Sequence, residues 1–186
     1  WMADTGPDRG EQCIYQSHPD GGGLRSALQA AGYEVHEASY GSRIGARTDI
    51  FDWPDKFRTE MDAILACDRQ DVALPDGGRN RIVMFKSCFP NNLFRPPPAG
   101  DTPGDPRGPE LTVANAQAAY RALLPVFGAQ PETLFVCVTA PPMAPKLQPE
   151  RLGKRLARLV LGKPSREAAW AVSAREARRF NNWLAG

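Results

Sequence analysis

The chain has 186 residues, 42% of them hydrophobic and 24% charged, which supplies a core for one domain and excludes a disordered chain. Its 23 basic and 21 acidic residues leave a net charge of +2, excluding the strong basic footprint of a nucleic-acid binder or of a protein held on an anionic membrane. No apolar run approaches the ~18 residues that a membrane span needs, and no basic segment followed by an apolar one opens the chain, so a soluble, cytoplasmic protein is expected.

Four cysteines, Cys13, Cys67, Cys88 and Cys137, show no C-x-x-C spacing, which points away from a zinc knuckle or a thioredoxin-type pair. A reducing compartment is the default, although an even count leaves a disulfide open. No metal or cofactor is expected. The first residues are Trp1-Met2 rather than an initiator methionine, and the last predicted helix stops at Gly186 with no closing strand. A processed or partial reading frame is therefore expected.

In chain order, Leu24, Ala27, Leu28 and Ala31 recur at helical spacing after Gly21-Gly22-Gly23, and Gly32 stands where a C-terminal cap belongs. Residues 33–38 read as a strand with Tyr33 and Val35 on one face and Glu34 and His36 on the other, placing His36 on the solvent side. After a loop over residues 39–49, a helix is expected over about 54–67, with Pro54 in its first turn and Phe57, Met61, Ile64 and Leu65 as its apolar stripe. Residues 74–78 are a turn, and residues 81–85 form a strand so continuously apolar that a central, parallel position is expected.

Residues 95–109, with six prolines and three glycines, form a surface excursion. A helix over about 112–127 follows, capped by Thr112, with Val113, Ala116, Tyr120, Leu123, Leu124 and Phe127 inward. The next strand covers 133–138 and contains Cys137 as a small buried hydrophobe. A basic connection over 143–164 leads to a last helix starting near Ser165, with Ala169, Trp170, Ala177, Phe180, Trp183 and Leu184 on its apolar face. Alternating helices and strands predict an α/β fold, a central parallel sheet covered on both faces in three layers.

Right-handed crossovers bring the loops after all three strands to one sheet edge, the usual ligand position in such folds. Those loops carry Gly41, Ser42 and Gly45, then Lys86, Ser87, Cys88, Asn91 and Asn92, then residues 139–142. Backbone amides at Gly41 or Gly45 with an asparagine side chain make an oxyanion hole; equally, the glycines simply permit a turn. Lys86 either polarises a substrate oxygen or is a surface charge at the strand end.

Residues 32–45 (GYEVHEASYGSRIG), 82–92 (IVMFKSCFPNN), 135–142 (FVCVTAPP) and 177–184 (ARRFNNWL) together resemble bacterial SGNH/GDSL-type hydrolase-like proteins. The resemblance implies a flavodoxin-like α/β/α esterase, lipase or carbohydrate deacetylase, with a serine nucleophile, a glycine and an asparagine in the oxyanion hole and a late Asp-x-x-His pair. On this chain the glycine is Gly45, with Gly41 as its rival. The asparagine is Asn91, although by length Cys88 occupies the family position. Ser17, between an apolar segment and a Gly-rich turn, matches strand, serine, helix; the alternative is a nucleophile upstream of Trp1.

No histidine follows His36, and His18 lies beside Ser17 in sequence, so the expected ester hydrolase lacks its base within these residues and is inactive or nearly so. The implied partner is a small-molecule ester or acylated carbohydrate. Two other readings stay open. A non-enzymatic binding domain would hold a carbohydrate or small polar ligand through Ser42, Asn91 and Asn92. A cysteine enzyme would use Cys88 with its thiol activated by Lys86. Phosphate-binding glycine motifs are absent from the sequence.

Overall fold

In the computed structural model the described residues are 24–38, 42–87, 89–97, 103–139, 161–162 and 165–186, with Gly153 and Arg158. They form a mixed α/β protein. Helix α1 (Leu24–Ala30) ends in a Schellman arrangement: Gly32, at φ +87°, donates to Gln29 O at 3.0 Å and Tyr33 N–H donates to Leu28 O at 3.0 Å. Only a residue without Cβ takes that φ at no steric cost, which is why the predicted cap works.

Residues 33–38 are not a full strand. They make one isolated parallel bridge, Glu37 to Arg69, with Glu37 N–H on Asp68 O at 3.2 Å and Gln70 N–H on Glu37 O at 2.9 Å. The expected faces are also corrected. Tyr33 is exposed, whereas the His36 side chain is only 13% exposed and its Nδ1 lies 3.0 Å from Asp68 Oδ1. The carboxylate gives the imidazole the polar partner that half-burial requires.

A 3-10 turn (Ile50–Asp52) leads into α2 (Trp53–Leu65), which buries Phe57, Met61, Ile64 and Leu65 as its periodicity predicts. Strands β1 (Cys67–Arg69) and β2 (Val72–Ala73) then pair antiparallel through a turn with Gln70 at φ +56°. Their sequence has no alternating apolar pattern, so this hairpin has no signature in the chain. It is fastened from outside: Leu74 N–H donates to Ala66 O at 2.6 Å and Asn80 Nδ2 to Cys67 O at 2.7 Å.

Strands β3 (Ile82–Lys86) and β4 (Leu134–Val138) form a two-stranded parallel sheet among the described residues. Continuous burial of β3 is not observed, because Ile82 is exposed while Phe85 is buried. Helix α3 (Val113–Gly128) starts as expected, with Asn115 N–H on Thr112 Oγ1 at 3.2 Å. Its inward set is corrected at one position: Leu124 is 66% exposed and Ala119 is buried instead. At roughly 100° per residue, Leu124 lies about a quarter turn from the centre of the stripe Ala116, Ala119, Tyr120 and Leu123. Helix α4 (Arg166–Ala185) is capped by Ser165 Oγ, which accepts Ala168 N–H at 3.1 Å. Ala177 and Phe180 are buried on it as expected; Ala169 is exposed, and Glu176 is buried between Arg175 and Arg179.

The chain divides into two compact units, one of Trp1–Thr48, Asp55–Met84 and Val126–Val136, the other of Asp49–Pro54, Phe85–Pro125 and Cys137–Gly186. In the first, Phe57, Phe127 and Phe135 form the aromatic centre, Phe127 and Phe135 stacked at 4.0 Å with Phe57 edge-on to both. In the second, Trp53, Phe85, Tyr120, Phe180 and Phe94 make a continuous series of ring contacts at 5.3 to 6.3 Å. Such pairs add to the burial of the rings themselves about 0.5–1.5 kcal/mol each.

Described parts of the 95–109 segment carry no helix or strand, yet they are anchored. Asn115 on α3 accepts Asp105 N–H at 2.9 Å and donates to Glu110 O at 3.0 Å, and Arg95 N–H donates to Leu111 O at 2.8 Å. Gly104 lies so close to α3 that a Cβ there would sit 2.0 Å from Ala114 O.

Candidate functional site

The end of β3 delivers the polar turn that the sequence singles out, and the second unit organises it from within. Asn91, 4% exposed, accepts Ile50 N–H on Oδ1 at 2.9 Å and donates from Nδ2 to Asp49 Oδ1 at 2.5 Å. The two partners fix which end of the amide is oxygen, since an N–H needs an acceptor and a carboxylate needs a donor. One amide hydrogen of Asn91 is left over. Asn92 is buried as well, and its carbonyl accepts Ser173 Oγ from α4 at 3.1 Å. Lys86 is half-buried and donates to Ser87 O at 3.3 Å.

Behind the turn runs a buried chain of polar atoms. Trp53 Nε1 donates to Ser87 Oγ at 2.7 Å, Ser87 acts on the Tyr120 hydroxyl to oppose the effect of its burial, and Cys137 Sγ lies 3.2 Å from that hydroxyl. Burial, and then the neighbouring Cys137, push the Tyr120 phenol far above its ordinary value. Burial likewise raises the Cys137 thiol, against the opposing effect of the Tyr120 bond. Both groups are therefore neutral at physiological pH and serve as hydrogen-bond members, not as acids or nucleophiles.

The first unit holds the other predicted site residues. Ser42 and Gly45 are both buried and bonded to each other, Gly45 N–H on Ser42 Oγ at 2.8 Å. The loop around them is clamped from α2. Lys56, 2% exposed, donates to Ala46 O at 2.6 Å and pairs with Glu60 at 3.8 Å, while Arg47 pairs with the other oxygen of Glu60. A fully buried lysine survives only with such partners.

Gly45 and Ser42 thus belong to one unit, and Lys86, Asn91 and Asn92 to the other. Ser17, Gly41, Cys88 and His18 lie outside the described residues. Among the described residues no group of three or more His, Cys, Asp or Glu is placed to hold a metal ion. A pit beside Asn115, lined by Ile50, Phe51, Leu111 and Ala116, has a volume of about 10 Å³, enough for one water and not for an ester.

No family model, curated protein or solved structure matches the chain. The site is therefore read from its own chemistry. Among the described residues, no helix is long and apolar enough to cross a membrane.

Sequence reasoning missed the partners more than the site residues themselves. Asp49 and Asp52, three apart ahead of Pro54, carry a helix-start signal that could have been found; Asp49 N–H donates to Asp52 Oδ2 at 3.2 Å. Trp53, Asp68 and Asp71 had no such local signal, because each acts on a residue distant in sequence; Lys56 had one in Glu60, four residues on, but none for its bond to Ala46 O.

Proposed function

We propose that this chain is an SGNH-hydrolase-like protein of three-layer, flavodoxin-like architecture that acts on acyl or acetyl esters, acylated carbohydrates included. The observation that supports this best is Asn91. It is buried at the end of a parallel strand and held by Ile50 N–H and Asp49, so that its remaining amide hydrogen has a fixed direction, as a preorganised oxyanion donor requires. On this reading Ser17 is the nucleophile and Gly41 the second donor, or Gly45 once its N–H leaves Ser42 Oγ. With His18 and His36 the only histidines, the 186 residues turn over ester slowly or not at all without a base from elsewhere.

The test is covalent labelling by a fluorophosphonate, together with turnover of an aryl acetate, on this chain and on the longest reading frame that contains it. The proposal expects labelling lost in Ser17→Ala and turnover reduced on the order of 10²–10³-fold in Asn91→Ala. Labelling that persists in Ser17→Ala removes Ser17 from the mechanism.

A second reading, a non-enzymatic domain binding a small molecule or carbohydrate, is favoured by one observation. The Gly45 N–H and one Asn91 amide hydrogen are already bonded within the protein, to Ser42 and Asp49. Saturable ligand binding with no fluorophosphonate reaction in any form of the protein would establish it.

A further inference from the structure

Two successive peptide groups in the loop after residue 41 grip a single carboxylate. Arg43 N–H donates to Asp71 Oδ2 at 2.9 Å and Ile44 N–H donates to Asp71 Oδ1 at 3.1 Å, so each oxygen of the Asp71 side chain has its own amide. Consecutive N–H groups converging in this way form a concave, partially positive nest that selects anions. The loop that forms it is held by two further hydrogen bonds. Gly45 N–H is fixed on Ser42 Oγ, and Lys56, buried beneath the loop, holds Ala46 O at 2.6 Å. The ammonium of Lys56 and the guanidinium of Arg43 add positive potential at the same place, and with the two amide bonds, Arg43 first, they hold the Asp71 carboxyl below the usual carboxylate range.

The occupant differs in character from the walls. Asp71 is exposed, at the turn of the β1–β2 hairpin, and among the described residues its side-chain hydrogen bonds are those from the nest. Exposed carboxylate contacts contribute little net free energy because water competes for both partners. What keeps Asp71 in place is its tether, equivalent to a local carboxylate concentration on the order of millimolar or above.

We propose that the Arg43–Ile44 amide pair is a binding site for the carboxylate of a small molecule, and that Asp71 is its internal occupant, closing the site until a ligand carboxylate displaces it. This assignment stands on the loop geometry and is independent of the ester-hydrolase reading.

The test is a titration of the full ¹⁵N-labelled chain with sodium acetate at constant ionic strength, following the Arg43 and Ile44 amide resonances. In Asp71→Ala these two amides shift saturably, with a half-saturation at least tenfold lower than any response of the unaltered chain. In Asp71→Asn, whose carboxamide has one acceptor oxygen, the gain is smaller. A folded Asp71→Ala protein with no saturable shift, or with the half-saturation of the unaltered chain, overturns the proposal. Loss of the loop resonances in both variants overturns it as well, since Asp71 would then build the nest and not merely fill it. Because no ester is present, failure here leaves the labelling experiment unaffected, and the reverse holds too.

Discussion

Trp53 Nε1 donates to Ser87 Oγ at 2.7 Å, tying the first residue of α2 to the first residue beyond β3 within one unit. The bond lies at the head of the Ser87, Tyr120 and Cys137 chain, and Trp53 and Ser87 are both buried. Trp53→Phe removes the indole donor together with part of the buried ring volume, and a double-mutant cycle with Ser87 separates the two. We expect a loss of about 1–3 kcal/mol by denaturant titration. In a double-mutant cycle, Ser87→Ala should cost less in the Trp53→Phe background than alone; equal costs would show that the two side chains do not communicate.

Alkaline pH should act through Cys67. Burial first, then the Asp68 and Asp71 carboxylates, push its thiol from 9.0 to about 11. The folded-state value is the higher one, so the stabilising contribution is complete below about pH 9 and is lost as pH rises through about 11. Stability measured across that window should fall more steeply for the unaltered chain than for Cys67→Ala. Parallel curves would mean that the thiol ionises as easily folded as unfolded.

Gly104→Ala and Gly128→Ala form a matched pair. A Cβ at Gly104 would meet Ala114 O at 2.0 Å, whereas one at Gly128 would meet nothing within 4 Å. The first should cost about 1–3 kcal/mol by forcing the loop off α3, and the second should be neutral or slightly stabilising. Thermal melts of the two proteins decide the matter, and equal melting temperatures would mean that residues 103–109 are not packed.

Neighbouring leucines on α3 should behave in opposite ways. Leu123→Ala removes a side chain 1% exposed and should cost about 2–5 kcal/mol. Leu124→Ala, at 66% exposure, should stay within about 0.5 kcal/mol. Comparable losses at both positions would place Leu124 in an interface.

Where the chain repeats at 3.6 residues, its reading was reliable: α2, α3 and α4 begin and end within two residues of expectation, and Thr112 and Ser165 cap the last two. Strand 82–86 and strand 134–138 were legible from their apolar runs. The hairpin of residues 67–73 was not, because its strands are short, mostly polar and held by contacts to Ala66 and Asn80 rather than by an apolar face. His36 was misplaced because period-2 alternation cannot know that a carboxylate 32 residues away will receive the imidazole.

By itself the sequence determined the helix and strand periods, the caps, and the polar turn after β3, since these depend on spacing along a few neighbouring residues. Only tertiary structure decided what the polar groups do. Asn91 is held by Asp49 and Ile50, Gly45 by Ser42, the Arg43 and Ile44 amides by Asp71, and Ser87 by Trp53. A hydrogen-bond donor inside a protein must find an acceptor, and for most of these groups it lies tens of residues away, where no local pattern reaches.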